Sequence, residues 1–177
     1  MKKYHYMDEG NRTAKKMLFI LAIALIPFLI IFGIYLNDPA SPILYAISDR
    51  TGNLPAVVSA KNLLLSKVMD VYTKSAPVIA CLFVLTAFRA MPVKKDTPTA
   101  KMIQGLIFYY IFYAINVYLF LFCNHEISTS GRLLRLMSAN DCTLTFFYLS
   151  LYSIIYVFTI MFFWFSIGTY KVLKERG

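Results

Sequence analysis

Charged residues are scarce in this 177-residue chain and account for only 15% of it. Hydrophobic residues make up 59% of the sequence, whereas a soluble domain has about 45–50% apolar and about 25% charged residues. A water-soluble surface cannot be built from this composition. The chain is therefore predicted to be an integral membrane protein in contact with the lipid bilayer.

Residues that carry out catalysis or bind metals are nearly absent from the long apolar segments. The chain has two histidines, His5 and His125, both outside those segments, and it lacks HExxH and GxSxG motifs. We therefore predict neither an enzyme nor a cofactor or metal site. The long segments also lack the ionisable residue that proton- or cation-coupled carriers place in mid-membrane. A small four-span inner-membrane transporter or channel is thus the disfavoured alternative.

Paired cysteines are missing as well. The chain has three cysteines and no CxxC motif, which argues against the quinone-reducing thiol oxidases of the bacterial inner membrane. Cys81 is interpreted as a small apolar filler within a span. Cys123 and Cys142 are predicted at the outer ends of two spans, where they form either a structural disulfide or two free thiols. Free thiols are the favoured alternative.

Three segments without any charge are long enough to cross a bilayer. They cover residues 17–37, 102–124 and 143–168. Each has about 20 residues or more, which at roughly 1.5 Å per residue spans the roughly 30 Å hydrocarbon core. We predict a transmembrane helix in each of them.

A shorter segment, residues 71–91, is predicted to be the second of four spans. It is uncharged for only fourteen residues, from 75 to 88. It must therefore gain length from flanking residues whose long basic side chains extend toward the membrane surface. A re-entrant or interfacial segment is the alternative. With this span counted, the fold class is an all-α membrane protein, a four-transmembrane-helix bundle that forms one domain of residues 1–177.

Basic residues are concentrated on one predicted side of the membrane. Twelve of the eighteen lysines and arginines precede the first span, join the second to the third, or follow the fourth. Because the cytoplasmic side carries this excess, both termini and a loop of residues 92–101 are predicted to be cytoplasmic. Residues 38–70 and 125–142 are then periplasmic loops. The net charge of +9 indicates topology and not nucleic-acid binding.

Uncharged polar groups recur at helical spacing on the third and fourth spans. Residues three or four apart share one face of a helix. These faces either pack the bundle or receive a foreign transmembrane helix through interhelical hydrogen bonds. The candidates are Tyr109, Tyr113 and Asn116 in the third span, and Tyr148, Tyr152 and Tyr156 in the fourth.

Several polar strings outside the apolar segments are distinctive. They read NLPAVVSAKNLLLSKVMDVYTKSAPVIA at residues 53–80 and SGRLLRLMSANDCTL at residues 130–144, with LYSIIY at 151–156 and KVLKER at 171–176. These strings strongly resemble the immunity proteins of the colicin A type, and the resemblance covers nearly the whole chain. It implies an inner-membrane protein that protects a bacterium by binding the C-terminal channel domain of a pore-forming colicin. The cognate toxin is expected to be colicin A or a relative.

The resemblance supplies no catalytic residue, but it makes the charged residues near the predicted periplasmic side candidates for toxin contact. The alternative for the group at residues 67–74 is mutual neutralisation on one helix face. For Arg132 and Arg135 the alternative is a face in contact with water or with lipid headgroups. The candidates are Lys67, Asp70, Lys74, Arg132, Arg135 and Asp141.

Overall fold

A computed structural model describes residues 2–88 and 98–176 of the chain. The end of the predicted second span and residues 92–97 of the predicted cytoplasmic loop lie outside the described residues. The described elements are α1 (Lys2–Asn37), α2 (Pro42–Arg50), β1 (Val57–Val58), α3 (Leu63–Thr73), α4 (Ala76–Ala87), α5 (Thr99–Val117), a π-helical segment (Tyr118–Phe122), β2 (His125–Glu126), α6 (Arg132–Met137) and α7 (Asp141–Arg176).

Within the described part of the chain, four helical segments are long and apolar enough to cross a membrane. They are Gly10–Asn37, Leu63–Ala87, Thr99–Phe122 and Asp141–Lys174. The prediction of four such helices is therefore confirmed. The positions of the membrane boundaries and the orientation of the termini stay predictions.

The second of these segments is longer than its uncharged stretch. It contains 25 residues and begins at Leu63, eight residues before the start predicted from charge. The two charged residues in this added stretch, Lys67 and Asp70, are buried inside the bundle, so their charge does not end the helix. The segment is interrupted at Lys74 and Ser75. Pro77 follows in the first turn of α4, where its missing N–H removes no helical hydrogen bond.

Helix α7 lies at the centre of the bundle. It packs against α1, α3, α4 and α5, and α1 also contacts α3 and α4. Helix α5 packs mainly against α7, and none of its residues is fully buried. The core is thus formed by α1, α3, α4 and α7, with α5 attached on one side.

The two ends of the bundle are distinguished by the contacts there. At one end, here called the strand end, β1 and β2 pair in parallel, with Val57 opposite His125 and Val58 opposite Glu126. At the other, the terminal end, the Lys171 Nζ atom donates to the Phe88 carbonyl at 3.3 Å. The loops before α3 and after α5 therefore lie at the same end of the bundle.

Candidate interaction site

The three candidate tyrosines of α7 are completely buried. Tyr148, Tyr152 and Tyr156 each have 0% of their surface exposed. The Tyr148 hydroxyl donates to the Val57 carbonyl at 2.6 Å, and the Tyr156 hydroxyl donates to the Met17 carbonyl at 3.3 Å. This face of α7 packs against the rest of the bundle, and a partner could reach it only after the helices separate.

An aromatic cluster joins α1, α3 and α7 at the level of Tyr152. The Phe28 ring lies 4.9 Å from the Tyr72 ring and 5.5 Å from the Tyr152 ring, edge to face in both pairs. The two tyrosine rings are stacked with their centroids 5.5 Å apart. The Tyr72 hydroxyl donates to the Ala24 carbonyl at 2.8 Å. Among the described residues, the buried Tyr152 hydroxyl has no well-aligned hydrogen-bond partner.

The candidate tyrosines of α5 attach this helix to α7. The Tyr109 hydroxyl donates to the Phe158 carbonyl at 3.0 Å, and the Tyr113 hydroxyl lies 2.9 Å from Thr159 Oγ1. Both tyrosines are half-buried. Sequence reasoning missed Tyr110, whose hydroxyl lies 2.7 Å from Ser166 Oγ. Its position next to Tyr109 gives no periodic signal.

Asn116 does not join α5 to another helix. Its side-chain amide nitrogen donates to the Phe112 carbonyl one turn earlier in α5, at 2.8 Å. This bond uses one of two N–H groups, and no described residue donates to the amide oxygen. Asn116 therefore has free hydrogen-bonding capacity on a helix that lies at the side of the bundle.

The charged residues of α3 and its end form internal contacts. Asp70 is fully buried, and its carboxylate is paired with Lys74, as the i,i+4 spacing predicts. Lys67 bonds to the backbone: its Nζ atom donates to the Leu54 carbonyl at 2.7 Å. These three residues are thus engaged within the protein.

Asp141 is also used internally, whereas the two arginines are exposed. The Asn62 side chain donates to the Asp141 carboxylate and accepts a 2.9 Å bond from the Tyr35 hydroxyl. This chain of bonds joins α1, the start of α3 and the start of α7. Arg132 and Arg135 are exposed on α6. Of the six charged candidates, the two arginines are therefore the most accessible to a partner.

Two side chains that sequence reasoning missed hold the strand pair together. Asn124 Oδ1 accepts from the Ala56 N–H at 2.8 Å, and Glu126 Oε1 accepts from the Ala60 N–H at 2.8 Å. The hydrogen bond from the Ser128 side chain is the largest cause that lowers the pKa of Glu126 below its ordinary value. Asn124 and Glu126 belong to no periodic series of residues, so the sequence pattern did not indicate that they bond to the backbone.

The described residues show no alternative chemical site. Cys81, Cys123 and Cys142 are not joined by a disulfide in the structure, and the free-thiol state of Cys123 and Cys142 stays a prediction. Within residues 2–88 and 98–176, no group of three or more histidines, cysteines or acidic residues could hold a metal ion. The arrangement consists of packed helices with exposed apolar surface, and it is suited to binding by contact.

Comparisons with known proteins match almost the entire chain. The family model described as "Colicin immunity protein" matches residues 40–177. The colicin-A immunity protein of Citrobacter freundii is 38% identical over 177 residues, which is 99% of each chain. The colicin-B immunity protein of Escherichia coli is 31% identical over 145 residues, covering 81% of this chain and 83% of the relative. No solved structure matches the chain.

Proposed function

Because the chain belongs to the colicin immunity protein family, we propose that it protects a bacterium by binding the pore-forming domain of a colicin in the inner membrane. Bound in this way, it prevents the channel from opening. The full-length similarity to a colicin-A immunity protein, at 38% identity, is the observation that carries the proposal. The cognate toxin is proposed to be colicin A or a relative.

The internal contacts favour an inhibitor over a small transporter or channel. A coupled carrier needs an ionisable group that can bind and release its ion in the membrane. The charged groups of the second helical segment already have partners, because Asp70 is paired with Lys74 and Lys67 binds a backbone carbonyl. These charged groups stabilise the fold and are not available to bind and release an ion, which favours a protein that acts by binding a partner.

We propose that the strand end faces the periplasm and that both termini are cytoplasmic. The excess of basic residues before the first membrane-length segment, between the second and the third, and after the fourth supports this orientation. Topology reporters fused after residues 95 and 177 should give cytoplasmic signals, and fusions near residues 53 and 130 should give periplasmic ones. A cytoplasmic signal near residue 53 would contradict the four-span topology.

The outer face of α5 is proposed as the surface that contacts the toxin. Helix α5 packs mainly against α7, and large apolar side chains on it are exposed, such as Phe108 at 73% and Ile115 at 53%. Asn116 adds a polar group with free hydrogen-bonding capacity beside this surface. In lipid, such a group gains by finding a partner on a neighbouring helix, at roughly 0.6–2 kcal/mol per bond.

The energy required of this contact is moderate. Moving one elementary charge across 100 mV supplies roughly 2.3 kcal/mol toward opening of a voltage-driven channel. Shifting a two-state equilibrium from 1:99 to 99:1 takes a preference of roughly 5.5 kcal/mol for one state. A few interhelical hydrogen bonds and close packing against the closed form of the toxin can provide this preference, so no catalytic step is required.

Potassium efflux from bacteria that express this chain tests the mechanism. The cells are challenged with chimeric colicins in which the receptor-binding, translocation and pore-forming domains are exchanged separately. We expect protection to follow the pore-forming domain, because the proposed contact forms in the membrane. Protection that follows the receptor-binding or translocation domain would show that the mechanism is wrong.

Asn116→Leu tests the proposed surface in the same assay. We expect this variant to accumulate and unfold like the wild type, because the lost bond lies within one helix, but to protect less well. Thr86→Val is the matched control, because it removes a similar bond within one helix, from the Thr86 hydroxyl to the Phe83 carbonyl, at an exposed position of α4 away from α5. Equal protection by both variants and the wild type would exclude Asn116 from the contact.

A further inference from the structure

A cleft at the terminal end of the bundle lies between α1 and α4. It has a volume of about 460 Å³, within the range of small-molecule sites. Its apolar walls are formed by Phe19, Ile20, Phe83 and Ala87. Phe83 and Ala87 are buried at 3% and 7% exposure, whereas Phe19 is 67% exposed. The cleft therefore reaches from the packed core to the outer surface of the bundle.

Two basic residues line the same cleft. Arg12 and Lys16 are exposed and lie one helical turn apart on α1, so both can reach one phosphate group. Lys16 is the last charged residue before an uncharged run that continues to residue 37. The acidic residues Asp8 and Glu9 come earlier in α1, further from that run. The positive charge therefore lies at the border between water and the apolar part of the helix.

This combination fits one class of ligand. A basic group at the border and an apolar groove directly below it match the phosphate and the acyl chain of an anionic phospholipid. A free phosphate ion would gain nothing from the apolar walls. A zwitterionic lipid would gain less from the two positive charges.

We propose that this cleft binds one anionic phospholipid, with its phosphate at Arg12 and Lys16 and an acyl chain along Phe19 and Phe83. A lipid bound there contacts both α1 and α4, so it stabilises the contact between these two helices. The site lies at the end opposite the strand pair and is separate from the proposed toxin-binding face of α5.

Native mass spectrometry of the full chain in detergent tests the proposal. Phosphatidylglycerol and phosphatidylcholine with identical acyl chains are titrated separately, and inorganic phosphate is added in a third series. We expect one tightly bound phosphatidylglycerol, weaker binding of phosphatidylcholine, and no displacement by phosphate. Equal binding of the two lipids, or displacement by inorganic phosphate, would overturn the proposal.

Matched charge variants locate the site. Arg12→Gln/Lys16→Gln is expected to weaken phosphatidylglycerol binding about 20- to 30-fold, which corresponds to about 1 kcal/mol per basic residue near a membrane surface. Lys15→Gln/Lys174→Gln removes the same charge from exposed positions outside the cleft and should bind like the wild type.

A thermal-shift measurement guards against misfolding of the variants. Phosphatidylglycerol should raise the Tm of the wild type and of the control variant, but not that of Arg12→Gln/Lys16→Gln, while the three lipid-free proteins unfold at similar temperatures. Unchanged lipid binding by Arg12→Gln/Lys16→Gln, or equal loss of binding in both charge variants, would refute the site. Because the assay uses purified protein, its result does not depend on toxin binding.

Discussion

Replacing Asp70 by alanine is expected to lower the free energy of unfolding by about 3 kcal/mol, because the change leaves the largely buried Lys74 ammonium without its counter-charge. Asp70 is fully buried and paired with Lys74, whose side chain is 18% exposed. The nearby Lys67 is also nearly buried, at 9% exposure. Unfolding of the purified protein by sodium dodecyl sulfate in mixed micelles measures the loss.

A double variant separates the charge effect from lost packing. Replacing both partners of a buried ion pair by apolar residues of similar size is often neutral. Asp70→Leu/Lys74→Met should therefore regain most of the stability that Asp70→Ala loses. Asp49→Ala, at an exposed acidic position of α2, should change stability by less than about 0.5 kcal/mol. If the double variant is as unstable as Asp70→Ala, unpaired charge is not the cause.

Tyr152→Ala is expected to lower the free energy of unfolding by about 3 kcal/mol, through the cavity that it leaves in the core. The Tyr152 ring contacts both Phe28 and Tyr72, so its removal empties the place where α1, α3 and α7 meet. Packing of this kind is a main source of helix association in lipid, where the hydrophobic effect between helices is weak. The same micelle unfolding experiment measures this effect.

Tyr152→Phe is the matched control because it keeps the ring and removes only the hydroxyl. That hydroxyl is buried without a well-aligned partner, so its removal should change stability by less than about 0.5 kcal/mol. Phe108→Ala, at a 73% exposed position of α5, should be similarly mild. A large loss for Tyr152→Phe would instead show that the hydroxyl is hydrogen-bonded in the membrane.

The sequence was sufficient to predict the number of membrane-length helices. Three of them follow from uncharged runs of about 20 residues or more, which have few alternatives in a folded protein, and the second follows from a shorter run that flanking basic residues can extend. It was insufficient for the start of the second helical segment. The predicted span began just after Asp70, since a charge in lipid is costly. The structure places the ion pair of Asp70 and Lys74 inside the bundle, where the carboxylate is shielded from lipid. Charge alone cannot distinguish these two environments.

The periodicity of the tyrosines placed them correctly on common helix faces but did not identify their neighbours. The membrane-length parts of α5 and α7 carry no charged face that would indicate which side is exposed to water and which is buried. Tyr148 lies in the core, whereas Tyr109 lies in the α5–α7 contact, although each belongs to a series of polar residues spaced three or four apart. Helix-to-helix contacts depend on residues far apart in sequence, and a pattern within one helix does not contain that information.

The parallel pairing of β1 and β2 has a consequence for the order of folding. Ala56 and Asn124, which bond beside the pair, are 68 residues apart, and α3, α4 and α5 lie between them. Two residues per strand are too few to hold such a loop closed unaided. The ladder is therefore expected to form only after the intervening helices have packed, as a late step of assembly. A nascent chain that stops before residue 126 lacks this closure, even with three membrane-length helices already synthesised.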